Sequence, residues 1–151
     1  MPTTIRQLEL SEAPVLNNVA DGVSDNPADP RWTREFFADP RHHIVVALDG
    51  ETVVGMATGV HYVHPDKAPE LFGNEVGVAP AHRQRGIGKE MLRTLLAHGR
   101  TLGCTGAWLG TEPDNVAARR LYQSLEGKEG KEGEEDKAPF VVYWFEAGSK
   151  P

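Results

Sequence analysis

Two spacings of apolar residues alternate along the chain, one of period two and one of roughly 3.6 residues. Thr4 to Leu10 alternates imperfectly through Ile5, Leu8 and Leu10, which predicts a first strand. Ala13, Leu16, Val19, Ala20 and Val23 then fall at helical spacing. They predict a helix capped by Ser11, with Pro14 in its first turn and an end near Gly22. Ser24 to Pro30 is loop chemistry; Arg31 to Ala38 reads as a short helix carrying Trp32, Phe36 and Phe37, closed by Pro40. His43 to Leu48, the turn Asp49-Gly50 and Thr52 to Tyr62 predict an antiparallel hairpin. A fourth strand follows at Leu71 to Val78, where Gly73 and Gly77 suggest a bulge or a close approach by another backbone. Ile87, Met91, Leu92, Leu95, Leu96 and Leu102 line one face of a helix from Ile87 to Leu102, stopped by Gly103. Ala107 to Thr111 is a short strand. Val116 to Leu125 is a helix capped by Asp114 or Asn115, with Ala117, Ala118, Leu121, Tyr122 and Leu125 on its apolar face. Glu126 to Lys137 is a solvated Glu/Lys/Gly loop, and Phe140 to Glu146 predicts a final buried strand. The sum is a mixed α/β (α+β) fold, helices over a central sheet.

At 151 residues the chain is expected to form one domain, 1–151. Its single cysteine, Cys104, excludes an intrachain disulfide framework and points to a reducing compartment. No apolar run is long enough to span a membrane, and Met1 to Leu10 lacks a signal-peptide layout, so the cytoplasm is the expected location. With 16 basic and 22 acidic residues the net charge is −6, which argues against nucleic acid and suits a cationic substrate.

Candidate chemistry concentrates between Asn74 and Gly88. A strand runs through Pro80 into a basic turn, Arg83-Gln84-Arg85-Gly86-Ile87-Gly88, and then into the longest helix. Gly86 and Gly88 let backbone approach an anion, the helix start presents unpaired N–H groups, and Arg83 and Arg85 can add charged hydrogen bonds. This is a seat for a phosphate. Arg-x-x-Gly-x-Gly after Val-Gly-Val-Ala-Pro, opening an amphipathic helix, resembles the acetyl-CoA motif of the GNAT N-acetyltransferase superfamily. Asn115-Val116-Ala117-Ala118-Arg119-Arg120-Leu121-Tyr122 resembles its second signature.

The resemblance covers about Ile5 to Phe145. It implies a mostly antiparallel central sheet flanked by helices, acetyl-CoA as acetyl donor, and direct transfer to an amine in a ternary complex. Val76, Gly77 and Val78 would offer backbone hydrogen bonds to the pantetheine arm, and Arg83, Gln84, Arg85, Gly86, Ile87 and Gly88 would seat the pyrophosphate. Asn115 would contact the arm; Tyr122 would protonate the leaving thiolate. One departure stands out. The family continues after the Leu-Tyr helix with Gly-Phe and a sixth strand, whereas Gly127 here precedes lysines and glutamates. A narrower resemblance, carried by Tyr62-Val63-His64-Pro65 and by Glu75 before Val76-Gly77-Val78, is to the type I aminoglycoside 3-N-acetyltransferases.

A polycationic acceptor needs carboxylates, and Asp21, Asp25, Glu75, Glu112 and Asp114 lie on segments expected to rim the acceptor cleft. Acyl transfer also needs a neutral amine. Glu75 is the candidate base, or it only orients the ammonium; sequence does not separate the two. A backbone N–H within Val76 to Val78 would polarise the thioester carbonyl. No metal is expected: His61 and His64 lack a third ligand at familiar spacing. His82 and Cys104 read as solvent-exposed and packing residues. Trp32 and Phe36 fit either a core or a lid over the acceptor. A homodimer is an open expectation. Two other classes stand beside the enzyme: a CoA-binding module without catalysis, and a nucleic-acid binder using Arg83, Arg85, Arg93 and Arg100.

Overall fold

The computed structural model describes residues 2–129 and Glu146. Strands β1 (Thr4–Gln7), β2 (His42–Asp49), β3 (Thr52–Tyr62), β4 (Glu70–Val78) and β5 (Gly106–Leu109) form one sheet in that spatial order. Each of the first four is antiparallel to its neighbour, and β5 runs parallel to β4. A parallel neighbour needs a crossover, and helix α2 (Ile87–Thr101) supplies it. The mixed, mostly antiparallel sheet with flanking helices is the fold that the sequence predicts. The strand expected at 140–146 lies, but for Glu146, outside the described residues, as does the charged loop from residue 130 on.

Helix α2 lies across one face of the sheet. Ile87, Met91, Leu92 and Leu95 are buried there, as the 3.6-residue spacing requires, whereas Leu102 is exposed just past the helix end. On the opposite face lie a 3-10 helix (Leu10–Asn17) and helix α1 (Pro30–Ala38). Covered on both sides, β2 buries five consecutive residues, His43 to Ala47.

The first helix differs from expectation. It is a 3-10 helix that stops at Asn17, and its start is a box between Glu9 and Glu12 rather than a Ser11 cap. Ala13, Leu16 and Val19 are spaced by three, which suits a three-residue turn as well as an α-helix, and Pro14 removes one helical donor. The sheet then captures the chain. Val53 N–H donates to the Asn18 carbonyl and Ala20 N–H to that of Val53, both at 2.9 Å, so Val19 is extended. Leu16 and Val23 still reach the core.

Candidate functional site

Strand β4 carries one extra residue. Thr58 pairs with Glu75 while Gly59 pairs with Gly73, leaving Asn74 without a partner and exposed. In a strand, one inserted residue exchanges the faces of everything beyond it. Leu71 and Gly73 share the α2 face, Leu71 buried against Gly59 and Gly99. Beyond the bulge that face passes to Val76 and Val78, and Glu75 and Gly77 turn to the face of α1. The bulge foreseen from the glycines is present, and it aims Glu75.

Gly77 shows why the position needs no side chain. A Cβ there would sit 2.0 Å from the Val23 carbonyl oxygen. The loop after the 3-10 helix therefore lies directly on β4, beside Glu75.

The other edge of β4 opens at the same place. β5 pairs only with Glu70 to Gly73, so Asn74 to Val78 have no strand on that edge among the described residues. Ala79 N–H donates to the Val54 carbonyl on the β3 side (2.8 Å). By strand alternation Gly77 also faces β3, and Val76 and Val78 turn their peptide groups to the open edge. The Val78 carbonyl accepts from Arg83 Nε at 3.0 Å. Arg83 thus ties the turn to the strand by one nitrogen of its guanidinium, a role not foreseen from sequence.

The turn itself is built for exposure of its backbone. After a short 3-10 turn at Pro80–His82, Gln84 (φ 61°) and Gly86 (φ 78°) are left-handed, and Gly86 is the N-cap of α2. Arg83 to Gly86 are exposed; Ile87 is buried and anchors the helix start. His82 bonds Asp49 across the hairpin turn (Nε2 to Oδ2, 2.9 Å), and that bond pulls the Asp49 carboxyl below its ordinary range. Helix α3 (Val116–Ser124) packs against this start, with Leu121 3.4 Å from where a Gly88 Cβ would stand. Asn115 caps α3, its Oδ1 accepting from Ala118 N–H at 3.1 Å. Its amide nitrogen has no partner among the described residues and can serve another. Tyr122 is partly buried, and burial first, then the charge of Glu112, raises its phenol above the ordinary value.

On the α1 face lies a cleft of about 560 Å³, floored by Ile44, Met56, Thr58 and Glu75 and walled by Ser24 to Asp29, Trp32 and Phe36. Of the five expected acids, Asp25 and Glu75 line it. Burial raises the Glu75 carboxyl, and the charge of Asp25 raises it further. Asp21 lines an adjoining cleft of about 380 Å³ that shares Asp25. Glu112 and Asp114 line neither; Glu112 instead acts on Tyr122. Thr58, Met56 and Ile44 were missed from sequence. The signal was in the hairpin register, since Thr58 stands opposite both Glu75 and Ile44.

Residues 4–127 match the Acetyltransferase (GNAT) family. The chain belongs to that family. Among GNAT relatives it is 36% identical, over 103 residues, to the N-alpha-acetyltransferase RimI of Mycobacterium tuberculosis, covering 68% of this chain and 63% of that protein. It is 34% identical over 95 residues to the mycothiol acetyltransferase of Saccharopolyspora erythraea, covering 62% of this chain and 29% of that protein. The chain thus spans less than two thirds of either relative. A solved structure of AAC(6')-Iy, in complex with the bisubstrate analog CoA-S-monomethyl-acetylneamine, shares the fold at TM-score 0.74 and 19% identity, covering 97% of this chain and 99% of that one. These relatives include a 6'-aminoglycoside enzyme and none specific to the 3-N amine.

This GNAT fold also holds a partly buried chain of histidines, centred on the buried His43, that periodicity did not show. His43 Nε2 and His61 Nδ1 are 2.7 Å apart, His43 Nδ1 and His98 Nε2 3.2 Å, and Gln7 Nε2 reaches His98 at 3.1 Å. Burial, then the neighbouring His98 and His61, lowers the His43 imidazole from 6.5 to about 4. Among the described residues no cluster of three or more groups is arranged to hold a metal, and no helix is long and apolar enough to cross a membrane.

Proposed function

We propose that the chain is an acetyl-CoA-dependent N-acetyltransferase acting on the amine of a cationic small molecule. The observation that carries this reading is the bulge at Asn74. It sends Glu75 into an acidic cleft on one face, while Asn74 to Val78 have no strand on their other edge among the described residues, which leaves room for a cofactor arm.

The residues present fit coenzyme A. The exposed turn from Arg83 to Gly86 and the first N–H groups of α2 suit its pyrophosphate. Val76 and Val78 offer peptide groups along the open edge, and the Asn115 amide nitrogen is free to join them. When bound, acetyl-CoA supplies an activated acyl carbon and a thiolate leaving group. Asp25 and Glu75 hold the ammonium, and Glu75 takes its proton, directly or through water. With the cofactor bound, the freed lone pair would form the C–N bond as the C–S bond breaks, and the proton that the new amide nitrogen sheds would pass to water. An N–H of Val76 or Val78 would stabilise negative charge on the thioester oxygen. Tyr122, whose raised pKa keeps the phenol protonated at neutral pH, returns a proton to the thiolate.

The aminoglycoside amine, first among them the 3-N position, is the acceptor that the sequence resemblance puts forward. Three carboxylates in one cleft, Asp25, Asp29 and Glu75, support a polycation. A second reading, a peptide or amino-acid amine, is favoured by the apolar side of the same cleft and by the name of the RimI relative. The test is thiol release from acetyl-CoA across aminoglycosides, polyamines, amino acids and peptides, with mass spectrometry of the product. Release and a 42-Da gain (roughly one acetyl in place of one amine hydrogen) on an aminoglycoside support the first reading. Binding of acetyl-CoA without turnover of any amine would leave only a cofactor-binding module.

A further inference from the structure

We propose that helix α1 gives the acceptor cleft an apolar subsite, so that the protein selects amines carrying an apolar group next to the ammonium. This rests on the acceptor reading above and narrows it. Phe36 and Phe37 pack against the core, while Trp32, one turn earlier on α1, is 56% exposed; Trp32 and Phe36 both line the cleft. An amphipathic helix on a sheet face ordinarily buries its whole apolar stripe. Here the cleft takes the Trp32 end of it.

The wall is held in place. Asp29 caps α1 through the N–H groups of Arg31 (2.8 Å) and Trp32 (3.4 Å). Phe36 stacks on His42 with centroids 5.1 Å apart and meets Phe37 edge-on at 5.3 Å. The Arg31 guanidinium sits 4.0 Å from the centroid of the Trp32 ring. Ile44 and Met56 extend the apolar surface along the floor.

Three acids line the cleft, Asp25, Asp29 and Glu75, and Asp29 spends one carboxylate oxygen on the start of α1. An ammonium placed against Trp32, Ile44 or Met56 instead would lack an acceptor, which is costly. The complementary acceptor therefore has a cationic end and an apolar side chain or ring face. A uniformly hydrophilic polyamine leaves the wall uncovered.

The test measures binding, so that it does not depend on turnover. Ethanolamine and 2-phenylethylamine carry one ammonium each and differ in the apolar group. Their dissociation constants on the CoA-saturated protein are read by calorimetry. Burying the phenyl group against Trp32 should favour 2-phenylethylamine by about tenfold. Trp32→Ala should bring the ratio close to one, and Trp32→Phe should keep most of it. With its ring largely in solvent, Trp32 can be truncated without threatening the fold. Equal binding by the wild type, or an equal loss for both amines in Trp32→Ala, would overturn the subsite. If the preference holds but no amine is acetylated, the subsite stands and the enzymatic reading fails.

Discussion

Glu75 is the residue whose surroundings say most about the chemistry. Its carboxyl is raised by burial and by Asp25. A carboxylate base must be deprotonated, so activity should fall as pH drops through this raised value. Removing the Asp25 charge takes away one of the two causes. Asp25→Asn should therefore move the acid limb of kcat/KM to lower pH, even as KM rises from the lost ammonium contact. A limb that stays in place would show that Asp25 does not act on the titrating group. Gly77 makes a second expectation at this scale. Gly77→Ala brings a methyl group onto the Val23 carbonyl at 2.0 Å, against backbone that cannot swing aside. It should cost on the order of 1–3 kcal/mol, read as a lower denaturation midpoint.

At the scale of elements, the proposed mechanism asks the turn and the bulge to bring cofactor and amine together. Gly86 has open space where a Cβ would stand, yet its φ is +78°. Gly86→Ala should thus lose roughly 1–2 kcal/mol to backbone strain alone, and acetyl-CoA should bind more weakly, as calorimetry would show. The hairpin, the turn before α2 and α2 itself were legible because each has a local signature: Asp49-Gly50, two glycines after a strand, and a 3.6-residue stripe. The first helix was not, because residues spaced by three fit either helix type and the bridge to Val53 is long-range. The bulge was visible in Gly73 and Gly77, but its consequence was not. Which face Glu75 takes depends on the register with Thr58, and register is set between strands. Of the five expected acids the cleft holds Asp25 and Glu75. Asp21, Glu112 and Asp114 sit on loops, whose course over the sheet no local pattern fixes, and Asp21 lines the adjoining cleft instead.

Across the whole molecule, α2 is fastened to the sheet at both ends. Near its start, His82 and Arg83 tie the turn to the hairpin and to β4; near its end, His98 joins the chain through His43 and His61. That chain was illegible because its members come from three elements and meet only after folding. It has a cost in acid. The folded-state value of His43 lies below its unfolded one, about 4 against 6.5, so the unfolded chain binds the proton first. Stability from this site is whole above about pH 6.5 and is lost as pH falls toward 4. His42 and Asp39 add smaller effects of opposite sign, His42 lowering and Asp39 raising, after the larger effects of burial, His98 and His61. Denaturant midpoints should decline over that window, and less steeply in His98→Gln, which removes one like charge from the chain. An unchanged slope in the variant would mean that carboxylates elsewhere set the acid limit.

The most direct measurement is the pH profile of kcat/KM on the best acceptor, for the wild type and for Glu75→Gln. The wild type should show an acid limb above the ordinary carboxylate value of 4.5. Glu75→Gln should lose that limb and run slower by roughly 10²–10⁴-fold, with acetyl-CoA affinity retained. A glutamine variant with the wild-type rate and the same acid limb would contradict the assignment of Glu75 as the group that takes the proton from the amine.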